Sequence, residues 1–368
     1  MRLVPALLLA ACPPLLGAQS TRQEAAGLAS IAEVKQVLQP LVESYGVSGM
    51  EGPVRKVVQE LLPRWARTTT DTAGNLWLTL GKGEPTVVFI AHLDEVGFRV
   101  TGIREDGSLD LTPVGGIFPS LWEAKPALVH TGRRMIHGVF MPRMIDSVTG
   151  SQRTPPDLRV DVGTTSRAET AERDIRVGST VTMPKHFVLL GGTRATGRSF
   201  DDRVGSAAQV LAVRRLDPAR LKHTVIFVWS VREEIGLEGA QAVANSLGLR
   251  TDRVHAIDTF VSADSPIEPQ NFAVAPLGRG AVARALDNSS VTPPALVDTL
   301  TALARSRKIP LQVGTTNGGN DGSVFAAYGV PDVPIAWPLR YSHSPAETID
   351  LRDVASLAQV IQAVAEGW

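Results

Sequence analysis

Cysteine is nearly missing: the 368-residue chain contains only Cys12, so no intrachain disulfide can form. Neither sign of charge prevails, with 37 basic against 37 acidic side chains, and the electrostatic footprint of a nucleic-acid binder is therefore lacking. There is no internal repeat, no low-complexity tract, no nucleotide-binding glycine fingerprint, and no bilayer-length apolar run beyond the first 20 residues. What remains, at 43% hydrophobic content, is the composition of an ordinary globular protein with enough apolar side chains for large cores.

Only the first residues stand apart. Arg2 precedes an apolar run from Leu3 to Ala11, followed by Pro13-Pro14-Leu15-Leu16-Gly17-Ala18. The run is too short to span a bilayer and reads as a cleaved export signal over residues 1–18, which predicts a periplasmic or secreted protein. Leu9-Ala10-Ala11-Cys12 offers a second possibility, a lipoprotein anchored through Cys12, and membrane contact is expected only in that case.

Chemistry-bearing residues recur at the ends of apolar runs. Thr86-Val87-Val88-Phe89-Ile90-Ala91 has the continuous apolar character of a strand buried in a parallel sheet, so His92 and Asp94 fall just past its carboxyl end. That is where open α/β sheets bind their ligands. The spacing lets His92 meet a metal while Asp94 accepts the other ring N–H, although a His merely satisfied by a neighbouring carboxylate would look the same. A second strand, 223–231, runs into Glu233-Glu234, adjacent carboxylates that repel unless a cation or shared proton compensates. A third, Arg253 to Asp258, delivers another carboxylate at its end. Asp201-Asp202 precedes an apolar helix; capping accounts for one of the two but leaves the pair unexplained. His343 lies in the loop Ser342-His343-Ser344-Pro345. Histidine nitrogen and carboxylate oxygen are the donors zinc accepts, and the set suffices for two such cations with a carboxylate to spare.

The strings Ala91-His92-Leu93-Asp94-Glu95-Val96-Gly97-Phe98, Phe200-Asp201-Asp202-Arg203-Val204-Gly205, Glu233-Glu234-Ile235-Gly236-Leu237-Glu238-Gly239-Ala240 and Arg340-Tyr341-Ser342-His343-Ser344-Pro345-Ala346-Glu347 resemble the glutamyl (tetrahedral-assembly) aminopeptidases, metallopeptidase family 42. The likeness runs from about Ser48 to the final helix. It implies an α/β fold, a mixed-sheet zinc-exopeptidase (phosphorylase/hydrolase-like) catalytic domain with a strand-rich insert. It also implies two divalent metal ions per subunit, zinc with cobalt or manganese as alternatives, one held by His92 and Asp258, the other by Glu234 and His343, with Asp201 bridging. Glu233 would be the general base and Asp94 its catalytic companion, and the Asp201–Asp202 bond is expected to be cis.

The organisation agrees with that outline. Two amphipathic helices and a strand precede Thr86, placing the first part of the catalytic domain at 30–98. From 99 to 185 come short strand-like runs such as Met135 to Met141 and Leu158 to Val162, an expected dimerisation insert whose edge strands suit subunit contacts. Strand and helix then alternate through 186–368, with helices expected at 239–247, 294–306 and 351–366. The function expected is an aminopeptidase acting on peptide substrates as a homo-oligomer. The alternatives are a dinuclear metal-dependent deacylase or carboxypeptidase, against which the strand-rich insert argues, and an exported binding module with an inactive site.

Overall fold

The computed structural model describes residues 28–143, 158–265 and 274–368. The expected leader and Cys12 lie outside the described residues. The main sheet has eight strands in the order Thr69–Thr70, Leu76–Leu80, Thr224–Ser230, Thr86–His92, Arg253–Val261, Ile335–Leu339, Ala281–Leu286, Leu311–Thr315. Its four central strands, from Thr224–Ser230 to Ile335–Leu339, run parallel, while Leu76–Leu80 and Ala281–Leu286 pair antiparallel beside them. The sheet is therefore mixed.

Alternation along Thr86–His92 explains why its sequence shows no polar face. Val87, Phe89 and Ala91 enter one core, packed under the helices Ile31–Glu43, Phe200–Arg215 and Leu351–Gly367. Val88 and Ile90 enter a second core beneath the helix Glu238–Leu247 and the 3-10 turn Asp321–Tyr328. A strand covered on both faces has no use for a polar side chain. The helix Phe200–Arg215 is buried from Phe200 through Val213, and its small residues Gly205, Ser206, Ala207 and Ala208 let it lie close under the sheet. Its contacts there are specific: Ser206 Oγ donates to the His92 carbonyl at 3.1 Å, and Trp229 Nε1 donates to the Ser206 carbonyl at 3.2 Å.

Between His92 and this helix the chain builds a closed barrel. Its strands follow the order Gly97–Ile103, Leu109–Val114, Arg159–Asp161, Met135–Phe140, Pro126–His130, Thr180–Thr182, around a separate core that includes Phe98, Trp122 and Phe140. Closure overturns one expectation. Met135–Phe140 is not an edge strand, because it pairs with Pro126–His130 on one side and Arg159–Asp161 on the other. A closed barrel has no edges, so no backbone edge of this strand is left for a second subunit. The chain returns through a three-stranded sheet, Val188–Gly191, Arg194–Gly197 and Glu347–Asp350, which ties the helix entry to the loop carrying His343.

Candidate metal centre

Sheet register brings the first two acidic segments together. Ser230 is the partner of His92 across the parallel pair, so the turn after Ser230 opens beside the turn after His92. Asp94 then fastens one to the other: its carboxylate accepts from the Glu233 N–H at 3.0 Å, the Glu234 N–H at 3.2 Å and the Ser48 hydroxyl at 2.7 Å. His92 Nδ1 lies 3.2 Å from the Asp94 carbonyl and 3.5 Å from its carboxylate. Asp94 thus orients the imidazole, as its spacing suggests, and also sets the backbone that presents both glutamates. On the other side of Thr86–His92 runs Arg253–Val261. Asp258 is inside this strand rather than at its end, because Thr259-Phe260-Val261 continues the parallel pairing with Ile335–Leu339.

The two adjacent aspartates divide their duties. Their peptide bond is cis, and neither has helical backbone angles. Asp202 Oδ1 accepts from the Gly205 N–H at 2.8 Å and from Trp337 Nε1 at 3.1 Å, so it caps the regular helix. Asp201 faces the histidines instead. Its Oδ1 is 3.2 Å from His92 Nε2, and its Oδ2 is 3.4 Å from His343 Nε2. His343 Nε2 is also 3.4 Å from Glu234 Oε2, and His92 Nε2 is 3.9 Å from Glu233 Oε2.

Among the described residues, three groups bring donor atoms close enough to hold an ion: His92 with Asp201 and Asp258; Asp201 with Glu234 and His343; and His92 with Glu233 and Glu234. The first two share Asp201. Donor chemistry and burial both fit cations. Glu234 Oε1 is buried without a hydrogen-bond partner, a costly state for a carboxylate oxygen unless something else meets it.

Burial and mutual repulsion also shift the protonation equilibria of the cluster. Burial, joined by Asp258, Glu234 and Asp321 against the pull of His92, drives Glu233 well above the usual carboxylate range. Burial and the Asp201 charge push Glu234 up to about 7 against the opposing pull of His343, and Asp258 rises to about 6, chiefly through burial and Asp201. Burial works against protonated imidazole, yet Glu234, Asp201 and Glu347 outweigh it and push His343 up to about 11. His92 is likewise raised, with Glu233, Asp201 and Asp94 overcoming burial. Asp201 falls well below its ordinary value, since both histidines override its burial. Buried carboxylates and imidazoles crowded in this way form a donor set whose mutual repulsion a bound divalent cation would relieve.

Three contributors were not legible in the sequence. Glu347 accepts from the Phe200 N–H at 2.6 Å and from the His343 N–H at 2.9 Å, clamping the aspartate segment to the histidine loop. Burial and Asp201 push it up to about 8. Asp321 lies buried against Ser230, and burial, reinforced by Asp94 and Asp258, lifts it to about 7. From the barrel, the Gly116 carbonyl accepts a 2.6 Å hydrogen bond from His343 Nδ1, so that in the neutral imidazole Nε2 is the free donor atom facing Asp201 and Glu234. The adjoining Gly115 has φ +84°, and a Cβ there would lie 3.3 Å from Glu234 Cβ and 2.7 Å from Val96. No side chain signals these backbone contacts. The cleft beside these donors is lined further by Asn317, Gly318 and Gly319, which follow the strand Leu311–Thr315.

A model of the M42 glutamyl aminopeptidases matches residues 74–360. The putative aminopeptidase FrvX of Escherichia coli is 31% identical over 342 residues, covering 89% of this chain and 93% of its own. The lysyl aminopeptidase of Pyrococcus furiosus is 30% identical over 342 residues, covering 90% and 96%. Among solved structures, a Pyrococcus horikoshii TET1 peptidase that can assemble into a tetrahedron or a large octahedral shell superimposes with a TM-score of 0.83 at 32% identity, over 92% of this chain and 100% of that one.

Proposed function

The chain belongs to the M42 glutamyl aminopeptidase family and is an aminopeptidase, and from that premise we propose how its residues divide the work. His92 and Asp258 would hold one metal ion and Glu234 and His343 the other, with Asp201 shared between the two sites. The observation that carries this reading is the pair of donor groups sharing Asp201, with Glu233 in neither. When bound, divalent cations, zinc in this reading with cobalt or manganese as alternatives, supply Lewis acidity and make water nucleophilic near neutral pH.

Glu233 is then the proton carrier. Its carboxylate takes a proton from the attacking water and returns it to the departing amine nitrogen as the peptide bond breaks. Asp94 serves catalysis by position, holding the Glu233 and Glu234 backbone N–H groups and the His92 ring in place. Cations held on this wall would also accept a substrate's free α-amine as a ligand, which accounts for removal of residues from the N-terminus.

Acetylating the N-terminus of a good peptide substrate is expected to abolish its cleavage, because a neutral amide no longer presents an amine to that wall. The check is hydrolysis of matched free and acetylated peptides by metal-loaded protein. Efficient cleavage of the acetylated peptide would transfer the reading to a metal-dependent deacylase.

Assembly and destination complete the proposal. The tetrahedral and octahedral shells of the TET1 relative support a homo-oligomer here. Residues 1–18 support export, with cleavage at Ala18 or lipid attachment at Cys12. Light scattering on protein lacking residues 1–18 is expected to show a dimer or larger, and a monomer would refute the assembly. Mass measurement of the mature chain from an exporting host decides the processing, and an intact Met1 would refute export.

A further inference from the structure

We infer that the cleft takes an uncharged, apolar side chain on the substrate's N-terminal residue. The inference rests on the aminopeptidase reading above and concerns the wall that the metal ligands leave over. Family membership does not decide the point, since the matching family model is described as glutamyl while the Pyrococcus furiosus relative is a lysyl aminopeptidase.

The cleft holds about 440 Å³, with Asp201, Glu233, Glu234, Asp258 and His343 along one wall. With the amine and the scissile carbonyl directed at that wall, the first side chain must lie against the rest: Phe118, Val261, Arg284 and the segment Asn317 to Gly319. An acidic side chain would need a free cation there. Arg284 is the one cationic side chain on this wall among the described residues, and it is committed to the protein rather than to the cleft. Its Nε pairs with Asp287 at 2.7 Å, and Nη1 donates to the Thr259 carbonyl at 2.9 Å and sits 3.8 Å from Asp258. Its Nη2 donates to the Asn317 and Gly319 carbonyls at 3.3 and 2.8 Å. With 1% of its side chain exposed, its charge already paired by Asp287 and three carbonyls bound, the guanidinium is not presented to a ligand as a free cation.

A basic side chain would need a free carboxylate, and the nearby ones are committed as well. Asp287 is held by Arg284 and by Asn320 Nδ2 at 2.8 Å, and Asp264 is paired twice by Arg340, at 2.7 and 2.9 Å. The carboxylates of the opposite wall serve the cations. What the wall does offer is apolar. The Phe118 ring, carried in from the barrel, is 61% exposed, and Val261 closes the strand behind Asp258. An apolar side chain laid over them removes surface from water on both partners, whereas a charged one would be desolvated with nothing to meet it.

The test is kcat/KM of metal-loaded wild-type protein on aminoacyl-4-nitroanilides. Leu, Phe and Met substrates are expected to exceed Glu and Lys by about tenfold or more, the scale on which an unpaired charge is rejected. A preference for Glu or Lys overturns this inference and leaves the aminopeptidase reading intact, because a free-amine substrate is still cleaved. Failure to cleave any of the five, by protein shown to hold its metals, overturns that reading and this one with it. Two variants locate the wall. Phe118→Ser, at an exposed position the fold tolerates, is expected to lower kcat/KM for Leu and Phe more than for Ala, and equal losses contradict the contact. Val261→Lys puts a cation on the same wall and is expected to raise Glu relative to Leu, and an unchanged ratio contradicts the placement of the side chain there.

Discussion

Glu233→Gln is expected to retain both metal ions and the fold while kcat falls by about 10²–10⁴, the range associated with losing a general base. The amide has the shape of the carboxylate but cannot accept the water proton. Metal retention follows from the donor groups, since neither of those sharing Asp201 includes Glu233. Backbone placement should also survive, because Asp94 holds the residue through its N–H and not through its side chain. Metal content by elemental analysis, alongside kcat, makes the comparison. Near-wild-type turnover would remove Glu233 from the proton path. A large loss of bound metal would instead make it a ligand, through the group it forms with His92 and Glu234.

His343→Ala should act differently, by taking metal stoichiometry from two to one. The imidazole Nε2 is 3.4 Å from both Asp201 and Glu234, and without it that site keeps only two carboxylates. Zinc in a catalytic site ordinarily keeps three protein ligands. The loss in affinity is expected to exceed the ~10–100-fold that removal of an outer-shell partner produces. The ion between His92, Asp201 and Asp258 should remain, because none of its donors touches the deleted ring except through the shared aspartate. Dialysis against a weak chelator followed by metal analysis separates one ion from two. Two tightly held ions in the variant would show that the second site does not use this histidine.

The amino-acid sequence exposed the clustered donor residues better than it exposed their supports. Thr86–His92 and Thr224–Ser230 were readable because strands covered on both faces leave unbroken apolar runs, and the charged residues following those runs stand out by contrast. The helices at Glu238–Leu247, Pro294–Ser306 and Leu351–Gly367 fall within two residues of where helical periodicity places them. Arg253–Val261 ran past its expected end, since a buried aspartate among apolar neighbours does not interrupt a strand as a solvated one would. Barrel closure was not readable, because pairing partners as distant as Leu109 and Val160 leave no local trace. Glu347 looked like an ordinary residue after a proline turn, although three backbone N–H groups converge on it. The separation of Asp201 from Asp202 depends on which carboxylate the turn aims inward, and the two have the same side chain.

The bond from His343 to the Gly116 carbonyl ties two parts of the molecule to one equilibrium. Because the barrel supplies an acceptor for the imidazole, any fluctuation that lifts the Gly115-Gly116 turn away also frees the ring from its place beside Asp201 and Glu234. By reciprocity, an ion bound through this ring would draw the turn down and hold the barrel in register with the sheet. An insert that looks separable on the chain, entered and left by short crossings, is therefore not an exchangeable cassette. A grafted or shortened version would have to reproduce the position of one backbone oxygen before the host could hold its full complement of metal.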